Sequence, residues 1–206
     1  MAPEAPLPPE AFAKVDAGDD LAFYAPPRLV THIDEGAVAA LIGCYRTLLP
    51  DGAAVLDLMS SWISHLPEDV RYREVVGHGM NAAELKANPR LDRWFVQDLN
   101  VEPVLPLDDD QFDAALCCVG VQYLQRPFEV FAEVRRVLSP GAPFVVSYSN
   151  RCFPTKAVAV WRSLDPDGHA ALIRLYLERS GFERVETRML ADGSRGDPLV
   201  VVTGQA

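Results

Sequence analysis

The chain has 206 residues, which is enough for one domain with an attached arm and too few for two full catalytic domains. Hydrophobic residues make up 49% of it and charged residues 23%, a composition that excludes a disordered or fibrous protein. Asp and Glu number 29 against 19 Lys and Arg. The resulting net charge of -10 argues against nucleic acid as a partner, because a polyanion would be repelled.

Nothing in the sequence indicates a membrane or secretory protein. No run approaches the roughly 20 apolar residues that a membrane helix requires, and the start Met1-Ala-Pro-Glu lacks the basic and apolar segments of a secretory signal. The four cysteines form no C-x-x-C pair, so we expect reduced thiols and a cytoplasmic location. They are Cys44, Cys117, Cys118 and Cys152. If Cys117 and Cys118 lie in a strand, they point to opposite faces and do not share a metal.

Residues 1–30 are expected to form an irregular arm that covers part of the protein. They carry prolines at positions 3, 6, 8, 9, 26 and 27 and few apolar anchors. From Asp34 to Leu49, apolar residues recur every three or four positions, which predicts an amphipathic helix that ends at Pro50-Asp51-Gly52. We therefore predict an N-terminal arm with a covering helix over residues 1–50 and a main domain over residues 51–206.

Downstream of the arm, short apolar runs alternate with helical patterns. Five runs predict strands, at residues 53–58, 74–77, 94–97, 112–119 and 143–148, and the first of them is expected to be buried on both faces of a parallel sheet. Asn81 and Glu84 are spaced as a capping box that opens a helix before Pro89, and Pro127 is placed as the first residue of a helix that ends at Ser139-Pro140-Gly141. This alternation predicts parallel strands joined by right-handed crossovers, with ligands bound beyond the carboxyl ends of the strands.

The end of the chain predicts an antiparallel hairpin. A helix around residues 170–179 would end at Gly181 as a left-handed cap, and residues 184–189 and 199–202 are typical of strands. About nine residues separate these two strands, whereas a parallel crossover requires a dozen or more. We predict an α/β fold, a Rossmann-like three-layer sandwich with a mostly parallel seven-stranded sheet and an antiparallel C-terminal hairpin strand. A nicotinamide-dependent reductase would instead end in parallel strands.

Several separate segments match the motifs of one family. They are Val55-Leu56-Asp57-Leu58 at the first strand, Gln97-Asp98-Leu99 after the third, Leu105-Pro106-Leu107 with Gln111-Phe112-Asp113 before the fourth, Arg136-Val137-Leu138-Ser139-Pro140-Gly141 before the fifth and Ser180-Gly181-Phe182 before the sixth. Over roughly residues 50–204, the chain thereby resembles the class I S-adenosylmethionine-dependent methyltransferases, in particular the small type 11 group. The resemblance implies S-adenosylmethionine as the cofactor.

Two cofactor motifs of that family are altered in this sequence. The family's first loop reads Asp-Leu-Gly-x-Gly-x-Gly, and its three glycine positions are Met59, Ser61 and Ile63 here. The hydroxyls of Ser60 and Ser61 are able to bond an amino-acid carboxylate or to cap a short helix predicted over Ile63–Leu66.

The second altered motif lies at the end of the second strand. Gly79 stands where the family has an acidic side chain for the ribose hydroxyls. We expect Asn81 or His78 to supply a substitute hydrogen bond, which would lack the charge-assisted strength of a carboxylate.

The resemblance implies that the cofactor lies beyond the carboxyl ends of the first four strands. Asp57 would orient its amino group or, alternatively, only cap the following helix. Asp98 would accept a hydrogen bond from the adenine amino group while Leu99 packs on the ring, and the alternative is a turn aspartate. Cys118 and Val119 would line the methionine moiety or belong to the core. The full predicted cofactor set is Asp57, Met59, Ser60, Ser61, Gly79, Met80, Asn81, Asp98, Leu99, Cys118 and Val119.

His32, His65 and Tyr123 are the candidates near the methyl acceptor. A neutral imidazole there is able to take a proton as the new bond forms, although a lone histidine more often has a structural role. No His, Cys or carboxylate set has metal-ligand spacing, so no metal is predicted. Methyl transfer requires mainly in-line positioning in a water-poor cleft, so it needs no catalytic triad.

The sequence therefore predicts an enzyme that transfers a methyl group from S-adenosylmethionine to a small or medium-sized acceptor. Residues 1–50 and about 150–168 would form a lid or acceptor wall. The alternative is a methyltransferase fold that has lost its cofactor and serves as a binding or regulatory module. A cleft filled by Met59 or Ile63 would favour that alternative, and an open cleft would favour the enzyme.

Overall fold

A seven-stranded sheet forms the centre of the protein. The computed structural model describes residues 7–206, so Pro3 and Pro6 of the predicted arm lie outside the described residues. The strands are β1 (Ala54–Leu58), β2 (Glu74–Gly79), β3 (Arg93–Val96), β4 (Ala114–Cys118), β5 (Pro143–Tyr148), β6 (Glu183–Ala191) and β7 (Leu199–Gln205). Their order in the sheet is β3-β2-β1-β4-β5-β7-β6. Strands β1 to β5 are parallel, and β7 runs antiparallel to both β5 and β6, so the predicted fold class is confirmed.

Residues 7–206 form six α-helices around the sheet. They are α1 (Asp20–Tyr24), α2 (Glu35–Leu48), α3 (Ala82–Ala87), α4 (Pro127–Val137), α5 (Ala159–Ser163) and α6 (Pro166–Arg179). Short 3₁₀ turns occur at Pro9–Phe12 and Val121–Tyr123. None of the helices within residues 7–206 is long and apolar enough to span a bilayer.

Strands β1, β2, β4, β5 and β7 are largely buried, whereas β3 and β6 at the two edges of the sheet are mostly exposed. One face carries Leu56 and Phe144, which pack with residues of α4 and α6, and the other carries Val55, which packs with residues of α2. Cys117 and Cys118 alternate in the same way and contact opposite faces, as predicted for neighbours in a strand. The four cysteines are free.

The main helix boundaries follow the predicted caps. Asp34 begins α2, where its carboxylate accepts a hydrogen bond from the Ala37 N–H at 2.8 Å. Pro127 is the first residue of α4. Gly181 follows α6 with φ of 85°, a left-handed conformation that favours glycine. These local signals fix where the helices start and stop on either side of the sheet.

The predicted helix Ile63–Leu66 is absent, and that prediction was wrong. The segment after β1 is an irregular loop in which Met59 has φ of 57° and His65 has φ of 55°. An α-helix requires φ near about −60° at every position, so left-handed residues prevent it. The loop therefore continues to Pro67 without regular structure.

Other boundaries differ more modestly from the predictions. The arm contains α1, and the segment predicted as a lid or acceptor wall at about residues 150–168 contains α5. Strand β4 is shorter than predicted, because Phe112 makes only an isolated bridge with Leu138. The capping box at α3 is half formed: the Asn81 side chain caps the helix, but Glu84 reaches away from it to other partners.

Candidate active site

A cavity of about 390 Å³ lies at the carboxyl ends of the parallel strands, in the size range of small-molecule sites. Its lining includes every residue predicted for the cofactor and the acceptor: Asp57, Met59, Ser60, Ser61, Gly79, Met80, Asn81, Asp98, Leu99, Cys118, Val119, His32, His65 and Tyr123. Met59 and Ile63 line this cavity and leave it open. Among residues 7–206, no cluster of three or more His, Cys, Asp or Glu is placed to hold a metal ion.

Asp57 ends β1 as a buried carboxylate on the cavity wall. Its Oδ2 accepts a hydrogen bond from the Ser60 hydroxyl at 2.6 Å. Burial raises the pKa of Asp57 to about 6, while hydrogen bonds from Ser60 and Ser64 oppose this rise. Within the described chain it pairs with no cation. No helix follows Asp57, so the alternative in which it only caps a helix is wrong.

The loop after β1 lies directly against the end of β2. The backbone N–H of Met59 donates to His78 Nδ1 at 3.2 Å, and that of Ser60 donates to the His78 carbonyl at 2.6 Å. This path brings the Ser60 carbonyl so close that a Cβ on Gly79 would lie 2.4 Å from it. The loop backbone thus excludes any side chain from position 79.

His78 is held inside the protein by both ring nitrogens. Because Nδ1 accepts from Met59, the proton lies on Nε2, which donates to the Gln97 carbonyl at 2.9 Å. The residue is 1% exposed, and burial lowers its pKa to about 4 despite the bond to Gln97. His78 is therefore a neutral structural group without a free ring nitrogen for a ligand.

Asn81 is also saturated. Its Oδ1 accepts from the N–H groups of Ala83 and Glu84, and its Nδ2 donates to the carbonyls of Tyr24 and Ala25. A side-chain amide has two donors and two lone pairs, so all four are used. Asn81 fixes the arm to α3 and retains no hydrogen-bonding capacity for a ribose.

Glu84 joins the arm to the loop after β1. One carboxylate oxygen accepts from the Arg28 N–H at 2.7 Å and the other from the Ser61 hydroxyl at 2.5 Å. Sequence reasoning missed this role because the spacing from Asn81 assigned Glu84 to a capping box. Glu84 lines the same cavity as Gly79.

Asp98 and Leu99 lie beyond the end of β3. Asp98 Oδ1 accepts from the Asn100 N–H at 2.9 Å, which forms the turn that the alternative interpretation predicted. The carboxylate also lines the cavity, and its Oδ2 accepts no hydrogen bond within the described chain. Leu99 is 3% exposed and packs in the core beneath it.

The arm forms the roof of the cavity and is held by a buried charge cluster. Lys156 Nζ pairs with Asp16 at 3.1 Å and with Asp20 at 3.0 Å, and Lys14 also pairs with Asp20. Asn100 donates to Asp20 at 3.2 Å. Lys156 is 1% exposed, so these partners compensate a charge that would otherwise be buried alone.

Aromatic side chains form one wall of the cavity. The rings of Tyr24 and Phe153 lie 6.5 Å and 6.0 Å from that of Tyr123. The Tyr123 hydroxyl accepts from the Phe153 N–H at 2.9 Å, and burial raises the pKa of Tyr123 to about 12. Tyr123 therefore presents its ring to the cavity as a neutral group. Sequence reasoning missed Tyr24 and Phe153, which belong to segments without periodic patterns.

Two neutral histidines complete the site. His65 is 8% exposed, and its buried Nδ1 has no hydrogen-bond partner in the described part of the chain. Burial, with a smaller contribution from His32, lowers the pKa of His65 to about 4. Burial also lowers the pKa of His32, whose ring lies 6.0 Å from that of Phe153. A buried polar atom without a partner, on a residue with left-handed φ, indicates a ligand-binding position.

Part of the chain matches a known domain. Residues 61–146 match the family model described as a methyltransferase domain. Over 99 residues, the chain is 27% identical to the biotin biosynthesis bifunctional protein BioHC of Teredinibacter turnerae. That alignment covers 48% of this chain and only 17% of the relative.

Solved structures share the fold at low sequence identity. The methyltransferase in complex with the Trm112 methyltransferase activator of Haloferax volcanii has a TM-score of 0.63 at 17% identity, over 84% of this chain and 90% of that chain. An S-adenosylmethionine-dependent methyltransferase from Mesorhizobium loti has a TM-score of 0.57 at 19% identity, over 82% and 98%. The [4+2]-cyclase SpnF has a TM-score of 0.62 at 14% identity, over 90% of each chain. At such identities, these likenesses establish the fold alone.

Proposed function

We propose that this chain, whose residues 61–146 match a methyltransferase domain, is a class I methyltransferase that binds S-adenosylmethionine in the cavity and transfers its methyl group to a small or medium-sized acceptor. The observation that carries the proposal is the open cavity of about 390 Å³, lined by all the residues that the family resemblance implies. The altered loop after β1 thus leaves space for a ligand in this cavity.

The donor set fits the cofactor. Asp57 is a buried carboxylate without a cationic partner among residues 7–206, which suits the amino group of the methionine moiety. Asp98 has a carboxylate oxygen available for the adenine amino group, and Leu99 supports the adenine from below. When bound, S-adenosylmethionine supplies an electrophilic methyl group on a sulfonium sulfur, and that sulfur keeps the electron pair of the broken bond.

His65 is the proposed proton acceptor. His65 lines the cavity, and its buried Nδ1 has no hydrogen-bond partner among residues 7–206, so we assign this nitrogen to a hydroxyl or amine of the acceptor. The proton that the acceptor atom loses when it bonds to the methyl carbon passes to this nitrogen. The buried aromatic wall and the arm exclude water from the same space.

Isothermal titration of S-adenosylhomocysteine tests the cofactor half of the proposal. We expect the Asp57→Asn variant to lose about 10- to 100-fold in affinity, because a charge-assisted bond to the amino group is removed. The matched control is Asp69→Asn, which alters an exposed aspartate paired with Arg46 on the surface. Equal affinities in the two variants would contradict the role of Asp57.

A cofactor-free binding module is the second candidate function. Two observations favour it. Position 79, where the family has an acidic group for the ribose, has no space for a side chain, and all hydrogen-bonding groups of the Asn81 side chain are already used. A complete lack of heat and of thermal shift with a large excess of S-adenosylmethionine or S-adenosylhomocysteine would favour this candidate.

The proposed partner and location follow from composition and fold. A small molecule is the proposed acceptor, since a net charge of -10 repels nucleic acid. The proposed location is the cytoplasm, where the four free cysteines would stay reduced. Cell fractionation with an antibody against the protein tests the location.

A further inference from the structure

Arg28 places a guanidinium group against the aromatic wall of the cavity. Its Cζ lies 4.8 Å, 5.8 Å and 5.4 Å from the ring centroids of Phe23, Tyr24 and Phe153. Contacts of this kind favour a guanidinium that stacks on rings while its N–H edge stays available for a ligand. The aromatic residues therefore hold the charge in one place at the cavity.

The guanidinium of Arg28 pairs with no carboxylate in the described part of the chain. It donates to the carbonyls of Phe23 at 3.0 Å and Pro26 at 3.5 Å, and neither carbonyl neutralises its charge. Arg151 also lines the cavity but pairs with Asp197 at 2.9 Å. Arg28 is therefore a partly buried cation at the cavity without a carboxylate partner, in a protein with a net charge of -10.

The acidic groups near Arg28 are already engaged elsewhere. Glu84 accepts from the backbone N–H of Arg28 and from the Ser61 hydroxyl. Asp20 is compensated by Lys14 and Lys156. The missing counter-charge is thus not supplied by the neighbouring acids of the arm or of α3.

The wall around Arg28 also selects for shape. Tyr24, Tyr123 and Phe153 offer ring surfaces whose centroids are 6.0 to 6.5 Å apart, and His32 adds an imidazole edge beside Phe153. Such surfaces favour a flat apolar group through offset or edge-to-face contacts. Because Arg28 and His32 both lie against Phe153, one small planar molecule would contact the cation and the imidazole together.

We propose that the acceptor is a small aromatic molecule that carries a carboxylate, and that Arg28 is the residue that selects for this anion. The inference rests on the proposed function, because it names the acceptor of the same cavity. A hydroxyl or amine on the ring then faces the histidines, where Nδ1 of His65 has no hydrogen-bond partner among residues 7–206. Arg28 acts on binding and takes no part in the proton transfer.

The test is isothermal titration of three hydroxybenzoates (2-, 3- and 4-hydroxybenzoate), with and without S-adenosylhomocysteine. Neutral 4-hydroxybenzamide tests whether binding requires the negative charge of the ligand, and cyclohexanecarboxylate tests whether binding requires its aromatic ring. We expect at least one hydroxybenzoate to bind, and Arg28→Gln to weaken that binding about 10- to 100-fold. Arg28→Lys should retain part of the affinity, because it keeps the charge and loses the planar fork.

Arg90→Gln is the matched control. Arg90 also stacks on an aromatic ring, with Cζ 5.6 Å from the centroid of Tyr72, and also donates to a carbonyl, but it lies outside this cavity. We expect this variant to bind the hydroxybenzoate like the unaltered protein. Thermal melts of all variants establish that each is folded.

Four outcomes would overturn the proposal. The first is that no hydroxybenzoate binds. The second is that 4-hydroxybenzamide or cyclohexanecarboxylate binds as tightly as the hydroxybenzoate, and the third is that Arg28→Gln binds the hydroxybenzoate with unchanged affinity. A selective loss of S-adenosylhomocysteine affinity in Arg28→Gln would also overturn it, since Arg28 would then hold the carboxylate of the cofactor. Failure of the unaltered protein to bind S-adenosylhomocysteine contradicts the proposed function instead, and the titrations without it still test Arg28.

Discussion

The backbone carbonyl of Ser60 occupies the space that a side chain on Gly79 would require, at 2.4 Å from a Cβ placed there. The loop that carries this carbonyl is bonded to His78 of β2 through two N–H groups. The path of the loop after β1, which lacks the three glycines of the family motif, therefore also explains why position 79 at the end of β2 carries no acidic side chain. A cofactor bound here would rely on Asp57 and Asp98 for its charged contacts.

Replacing Gly79 with alanine should destabilise the protein. The new Cβ would meet the Ser60 backbone, which cannot move without breaking its bonds to β2, so we expect a loss of about 1–3 kcal/mol in the free energy of unfolding. Urea denaturation measures the change. Gly43→Ala is the control, because a Cβ in this helical position meets nothing within 4 Å and should stabilise by about 0.5–1 kcal/mol. Equal stabilities in the two variants would show that the loop is movable.

Replacing Lys156 with methionine should loosen the arm that forms the roof of the cavity. The change leaves Asp16 and Asp20 with one fewer cation in a buried cluster, and breaking such a pair costs about 3–5 kcal/mol. We expect faster cleavage of the arm by protease and a lower melting temperature. Lys86→Met, at an exposed position on α3, should leave both measurements unchanged. Resistance of the Lys156 variant to protease would contradict an arm held by this cluster.

The affinity for S-adenosylhomocysteine should depend on pH through Asp57. Burial raises the pKa of its carboxyl from 3.8 to about 6, so the free protein holds a proton there below about pH 6, and a bound amino group would favour the ionised form. The affinity should therefore rise as the pH increases towards about 6 and become constant above it, with a slope of up to about tenfold per pH unit. Titrations between about pH 5 and pH 8 measure this, and Asp57→Asn should abolish the dependence. A slope that persists in the variant would assign it to another group.

Replacing His65 with glutamine should impair catalysis and spare cofactor binding. Loss of a proton acceptor lowers kcat by about 10²- to 10⁴-fold, and the affinity for S-adenosylhomocysteine should not change. Burial lowers the pKa of His65 to about 4, so the rate of the unaltered enzyme should show no decline near pH 6.5. His169→Gln is the control. The ring of His169 stacks on that of Trp161, with 3.9 Å between the ring centroids, and His169 does not line the cavity. An NMR titration of His65 with a pKa near its usual 6.5 would contradict this account.

The sheet, and the meeting of the predicted site residues at one cavity, could be predicted from the sequence because both depend on where the strands lie. The apolar run that ends at Asp57 predicted β1, and the short connection after residue 189 predicted the antiparallel end of the sheet. Strand ends in a parallel sheet converge, so residues far apart in sequence were correctly assigned to one cavity.

The roof and the loop could not be predicted in the same way. Glu84 has the spacing of a capping box, and only the tertiary structure turns its carboxylate to Arg28 and Ser61. The left-handed conformation of His65, which removes the predicted short helix, has no signal in a sequence without glycine at that position. Contacts between the arm and the sheet depend on long-range packing, which periodicity does not report.

The most direct test of this account is isothermal titration of the purified protein with S-adenosylhomocysteine at about pH 7. The account predicts saturable binding of one ligand per chain, weakened by Asp57→Asn and unaffected by Asp69→Asn. Absence of binding to the unaltered, folded protein at a large excess of ligand would contradict it.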